Sequence, residues 1–168
     1  VGPLCQNRPL VTAYTPYQPE RSQGPLMSLW LYASALSELT GFEAINASIY
    51  DRATCLYEAL TCATRIARKK NTVFVADGIY PGDKEVVETI AEGTPLNVVF
   101  IPLNAETGVL DLDILLEKLE EHKDDLAGFA FPQLNCLGNV ENVDLFTDLC
   151  HEKGCLLYTS DAADDTCC

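Results

Sequence analysis

Basic residues are scarce in this chain. Eleven lysines and arginines stand against 25 aspartates and glutamates, a formal net charge of −14. Nucleic-acid and anionic-membrane binders need a positive face, so both classes are excluded. The only basic cluster is Arg65, Arg68, Lys69 and Lys70. It closes an expected helix, where cations complement the helix dipole. Histidine is nearly absent, with only His122 and His151 present. His122 reads as a solvated cation ending a helix and His151 as a structural residue facing its neighbours. With no C-x-x-C pair, neither a zinc site nor a Ser-His-Asp or Cys-His arrangement is readable. No apolar run reaches the roughly 18 residues a membrane-spanning helix needs. Gly78 and Gly82 are not followed by G-K-[ST], which excludes a nucleotide-phosphate loop. No secretory leader is visible, although the chain begins at Val1 and a targeting segment can precede it.

The 168 residues suffice for one sizeable core, and 48% apolar content argues a globular chain. The eight cysteines show no disulfide-framework spacing. Cys55 and Cys62 lie two turns apart on an expected helix, which predicts burial of both as small apolar residues. A reduced, cytoplasmic setting fits. The run from Cys155 to Asp164 resembles the translation of a sequencing adapter. Residues 155–168 are therefore expected to be a non-native tail, and Asp161 is given no role. The composition readings survive its removal.

Residues 1–24 read as an extended N-terminal arm and residues 25–154 as the core. Pro25 suits a first helical turn. Leu26, Leu29, Trp30, Ala33 and Leu36 follow at helical spacing, and Gly41 fits the left-handed end position. Phe42–Asn46 is a short link or strand. Ser48 or Asp51 can cap the next helix, whose buried face is Ala53, Leu56, Leu60, Ala63 and Ala67. Strands are expected at Thr72–Ala76, Asn97–Ile101 and Ala127–Phe131. Between and after them come helices at Asp83–Glu92, from Asp111 to Lys123 (Leu112, Leu115, Leu116 and Leu119 inward) and at Val143–Lys153. Apolar strands alternating with helices predict a mostly parallel sheet covered on both faces.

Such a sheet takes ligands at the carboxyl ends of its strands. Three loops meet there: Ser48–Thr54, Asp77–Asp83 and Gln133–Asn139. The first opens a helix, whose free N–H groups and hydroxyls either hold a phosphate or simply cap. Tyr80 either stacks on a ligand ring or turns the chain. Asn135 either faces a ligand or closes a turn. Lys69, Lys70 and Lys84 read as solvated charges.

The string Tyr14-Thr15-Pro16-Tyr17-Gln18-Pro19-Glu20, followed by Ser22-Gln23-Gly24, has no helical or strand period, and its prolines stiffen it. Glu38-Leu39-Thr40-Gly41 and Asn46-Ala47-Ser48-Ile49-Tyr50-Asp51-Arg52-Ala53-Thr54 come next. Leu134-Asn135-Cys136-Leu137-Gly138 and a helix ending in His151-Glu152-Lys153-Gly154 close the series. In order and separation these strings resemble the glycine dehydrogenase (decarboxylating) family, the P-protein of the glycine cleavage system, specifically its N-terminal half or first subunit. The resemblance runs from about Tyr14 to Gly154. Arg52 departs from it, standing where the family usually has glycine, and Tyr80-Pro81 stands where it has His-Pro.

The resemblance implies the large domain of the aspartate-aminotransferase-like fold, fold type I of the pyridoxal-phosphate enzymes. It implies oxidative decarboxylation of glycine, with the aminomethyl group passed to the lipoyl arm of the H-protein. Pyridoxal 5′-phosphate is the implied cofactor, with its Schiff-base lysine in the second half or subunit and not in this chain. Tyr14, Thr15, Tyr17, Gln18 and Glu20 would contact substrate or the partner subunit of a heterotetramer. Ser48, Tyr50, Asp51, Thr54, Tyr80 and Asn135 would lie near the cofactor. No catalytic residue and no metal ligand is expected here, and the segment alone would be inactive. Two alternatives stand. One is another fold type I enzyme, such as an aminotransferase or desulfurase; the other is a non-catalytic scaffold subunit.

Overall fold

The computed structural model describes residues 1–7, 10, 15–152 and 156–160, in two compact units: residues 1–48, and Ile49 onward. In the first unit, α1 spans Gly2–Cys5, a 3-10 turn spans Pro19–Arg21, and α2 spans Gln23–Thr40. The stretch read as an extended arm thus holds two short helical turns. Gly41 ends α2 with φ 79°, a conformation open to glycine at no steric cost, and its N–H donates to the Ser37 carbonyl. The apolar positions of α2 recur at helical spacing, yet only Gly24 is buried in this helix and Trp30 is 63% exposed. Phe42–Asn46 is a link without strand structure.

In the second unit, α3 covers Arg52–Ala67, β1 Thr72–Ala76, α4 Pro81–Ala91 and β2 Asn97–Ile101. These are followed by α5 at Leu112–Glu121, β3 at Leu126–Pro132, α6 at Val143–Glu152 and β4 at Leu156–Ser160. The four strands form one sheet in the order β2-β1-β3-β4, with every pair parallel. Thr72 pairs with Leu126 while Val73 pairs with Gly128, so Ala127 is the extra residue of a bulge.

Both faces of the sheet are covered. Val73 and Val75 of β1, with Ala127 and Ala130 of β3, pack under α3 and α4 through Leu56, Leu60, Ala63 and Val87. The opposite face carries Phe74, Phe129 and Phe131, packed with Leu115 and Leu119 of α5 and Phe146 and Cys150 of α6. Phe129 and Phe131 stack at 5.3 Å, and Phe146 meets Phe131 edge-on at 5.0 Å. Such aromatic pairs add to the area they bury.

Four expectations are corrected. Cys55 is buried but Cys62 is exposed. Seven residues at 100° each bring Cys62 round to about 20° from Cys55, past the edge of the buried stripe. Leu116 is 41% exposed on the flank of α5, while Leu115 and Leu119 point inward. His151 is exposed, not turned toward neighbours. His122 is not fully solvated: its ring meets Phe74 edge-on at 5.7 Å. Helix α4 also starts two residues before the expected Asp83. Pro81 takes the first helical position, and Asp83 and Lys84 donate their N–H groups to the Tyr80 carbonyl.

A polar staple closes the amino ends of the strands. The Asp125 carboxylate accepts from the Thr72 hydroxyl at 2.5 Å and the Asn71 N–H at 3.1 Å, and Asn97 donates to the same hydroxyl at 3.0 Å. The Thr72 hydroxyl first, then the Asn71 N–H, hold the Asp125 pKa below its ordinary value. A depressed carboxylate pKa contributes stability above the unfolded pKa and loses it as pH falls through the folded one. Asp125→Asn is therefore expected to lower stability at neutral pH and flatten the acid limb of the unfolding curve, read by thermal melts across pH 2–7. Phe129→Ala, which empties the centre of the aromatic cluster, is expected to lower stability by about 3–5 kcal/mol. The urea midpoint checks it.

Candidate functional site

In this sheet the chain leaves β1 toward β2 on one side and returns to β3 on the other. The reversal falls between β1 and β3, the place where open α/β sheets take ligands. A cleft lies there, lined by Arg52 and Leu56 of α3, Gly78, Ile79, Tyr80 and Asp83 after β1, Pro132 at the end of β3 and Leu134 beyond it. The recess holds about 360 Å³, open solvent included.

The first wall is the start of α3. Asp51 caps the helix, its carboxylate accepting from the Thr54 N–H and the Thr54 hydroxyl, each at 2.8 Å. Those bonds, the backbone one foremost, lower the Asp51 pKa. Tyr50, just before it, is fully exposed. Of the two capping candidates, Asp51 does the capping. Ser48 adopts φ 86°, with its N–H donating to the Asn46 side chain, and belongs to the other unit.

The second wall is the loop after β1. Arg52 Nε donates to the Asp83 carboxylate at 2.6 Å, and its guanidinium sits 4.4 Å from the centre of the Tyr80 ring. Tyr80 is thus stacked, but on a cation of its own chain. Lys84 is not a simple solvated charge either. Its Nζ lies 2.6 Å from Asp77 Oδ1 and 4.6 Å from the Phe100 ring centre.

The third wall is the loop after β3, held from behind by Asn135, which is 3% exposed. Its amide nitrogen donates to the Gly108 carbonyl and to Glu141 Oε1, both at 2.8 Å. Its side-chain oxygen accepts from the N–H groups of Leu137 and Asn139. Of the two readings of Asn135, the closed turn is the one its bonds satisfy. Buried Glu141 also accepts from the Leu110 N–H at 3.1 Å. Gly78 is required where it stands: a Cβ there would come within 2.9 Å of Asn135 Cβ. The Cys136 N–H donates to the Gly78 carbonyl, tying the two loops.

Of the expected residues Tyr80 lines the cleft, Tyr50, Asp51 and Thr54 flank the lining residue Arg52 along the chain without lining it themselves, and Asn135 supports the third wall. Thr15, Tyr17, Gln18 and Glu20 are exposed in the first unit. Tyr14 lies outside the described residues, as does Asp161. Among the described residues no cluster of histidine, cysteine, aspartate or glutamate could hold a metal ion. Nor is any described helix long and apolar enough to cross a membrane. Glu141 lies outside every motif read in the sequence, and the pairing of Asp83 with Arg52 is not readable there. Asp83 is 31 residues from Arg52, and Glu141 is 31 from Leu110. Pairings that distant leave no local signal.

Glu141→Ala would leave the Leu110 N–H unpaired and take one of the two acceptors from the Asn135 amide, which is expected to cost about 1–3 kcal/mol. The urea midpoint reads the loss, and faster thiol labelling of Cys136 reads the loosened loop.

The family described as glycine cleavage system P-protein matches residues 3–164. The probable glycine dehydrogenase (decarboxylating) subunit 1 of Exiguobacterium sibiricum is 41% identical over 152 residues, 89% of this chain and 32% of that protein. A crystal structure of glycine decarboxylase (P-protein) of the glycine cleavage system, in inhibitor-bound form, superposes with TM-score 0.77 at 30% identity. It covers 95% of this chain and 34% of the other. A C-DES variant with glycine covalently linked to its pyridoxal phosphate cofactor shares the fold at TM-score 0.59 and 16% identity, covering 95% of this chain and 39% of its own. This chain thus spans about a third of the length of the relatives it matches, and over that span it belongs to the glycine cleavage system P-protein family.

Proposed function

We propose that this chain is part of subunit 1 of a glycine decarboxylase, acting in oxidative decarboxylation of glycine. The aminomethyl group would pass to the lipoyl arm of the H-protein. The observation that carries the reading is the colinear family match along nearly the whole chain, joined to the fold and its reversal between β1 and β3. Pyridoxal phosphate, when bound in such an enzyme, supplies an electron sink for the departing carboxylate. The lysine that would hold it is assigned to the second half or subunit. Lys84, the lysine nearest this cleft's loops, is engaged with Asp77.

The residues of this chain's own cleft do not fit the cofactor. A phosphate at the first turn of α3 would meet the Asp51 carboxylate, already bonded to Thr54. A pyridine ring over Tyr80 would meet the Arg52 guanidinium. No chemical step is assigned to these residues. The chain's contribution is that of a partner: a rigid sheet, the loops at its carboxyl edge, and the segment Tyr14–Glu20 as a contact for substrate or second subunit. Residues 1–24 would form the contact arm and residues 25–154 the body; the tail expected from residue 155 supplies β4 at Leu156–Ser160, and the family match runs through residue 164. A cytoplasmic site of action accords with these assignments.

The test is carbon exchange between glycine and bicarbonate with the full-length protein, alone and with its second subunit and the H-protein. Exchange is expected only in the combined sample. Absence of exchange with every component folded and cofactor-loaded would remove the reading. In the active combination, Tyr17→Ala and Glu20→Ala are each expected to lower exchange by about tenfold, the loss of one or two hydrogen bonds to substrate or partner.

A further inference from the structure

We propose that Arg52 is a latch that shuts the cleft between β1 and β3 against phosphate-bearing aromatic cofactors. Three contacts carry it. Arg52 Nε holds Asp83 at 2.6 Å, joining the first turn of α3 to the first turn of α4 across the recess. The same guanidinium lies 4.4 Å from the Tyr80 ring centre, over one face of that ring. Asp51 occupies the Thr54 N–H and hydroxyl, the donors a phosphate would need at the α3 start.

Charge works in the same direction. A cation at this place would ordinarily favour an anionic ligand. Here Asp83, only 16% exposed in its side chain, neutralises it at close range, and Asp51 adds a second carboxylate at the same end of α3. The planar guanidinium suits both tasks, since one edge serves the carboxylate and the face serves the ring. A lysine would do neither as well. The arginine therefore satisfies the site internally, in place of a ligand.

The inference rests on the fold and these contacts and stands apart from the glycine reading, because it is read by binding and not by exchange. The full-length polypeptide carrying this segment, without its second subunit, would be dialysed against pyridoxal 5′-phosphate, with inorganic phosphate as a second probe. Four proteins are compared: the unchanged chain, Arg52→Gly, Asp83→Asn, and Arg52→Gly combined with Tyr80→Ala; both Arg52→Gly proteins also carry Asp51→Gly and Asp83→Asn, so that no bare carboxylate meets the phosphate and the Thr54 donors are released. Arg52→Gly in this form is expected to gain up to one further equivalent of pyridoxal 5′-phosphate per polypeptide, at least tenfold tighter than any binding by the unchanged chain. Asp83→Asn, which frees the guanidinium to move, is expected to fall between. Adding Tyr80→Ala should remove the gain. Equal binding by the unchanged chain and Arg52→Gly, both folded by circular dichroism, overturns the latch. So does a gain that survives loss of Tyr80. Should Arg52→Gly fail to fold, Asp83→Asn decides, and no gain there overturns it.

Discussion

The pairing of β1 with β3 is the constraint on which the rest of this structure depends. All residues of both strands are buried. A strand buried on both faces has no polar side to show to water, so it needs helices above and below and hydrogen-bonded neighbours on each edge. The small residues Ala127, Gly128 and Ala130 sit opposite the phenylalanines of the same strand. Helix α3 can therefore lie close on one face while Phe129 and Phe131 fill the thicker space on the other. The strand pair also fixes where the chain reverses direction, and so where the three loops converge. Fold and site share one cause.

The site is polar work laid over an apolar frame. Asn135 and Glu141 pin the loop after β3 with bonds spent wholly inside the protein. Asp51 spends its carboxylate on the cap of α3. Arg52, Tyr80 and Asp83 spend theirs on one another. Buried or half-buried polar groups that are satisfied from within hold a wall in place, but they have little left to offer a ligand.

The sequence by itself determined most of the frame. The bounds of β1 and β2 follow directly from Thr72–Ala76 and Asn97–Ile101, because unbroken apolar runs of that length between polar breaks have no other stable use. Asp111 as a cap, and Gly41 as the left-handed end of α2, are local matters settled within four residues, while the choice between Ser48 and Asp51 at the start of α3 was left to the structure. Parallel order followed from the alternation of strands and helices. The colinear strings around Tyr17, Ser48 and Asn135 carried the family.

What only the tertiary structure decided is anything set by residues far apart in the chain. Cys62 and Leu116 sit within 20–40° of the buried stripes, about the width that separates core from flank, and a helical period alone does not resolve it. The apolar stripe of α2 is regular in sequence and still largely exposed. Periodicity states which face is apolar but does not say what covers it. In sequence Arg52 is an isolated departure from the family pattern, and Tyr80 reads as stacking on a ligand ring or turning the chain. The fold brings Asp83 from 31 residues away and makes the three a closed set. Hydrogen bonds and cation–aromatic contacts depend on distances of a few ångström, and those are fixed by packing, not by order along the chain.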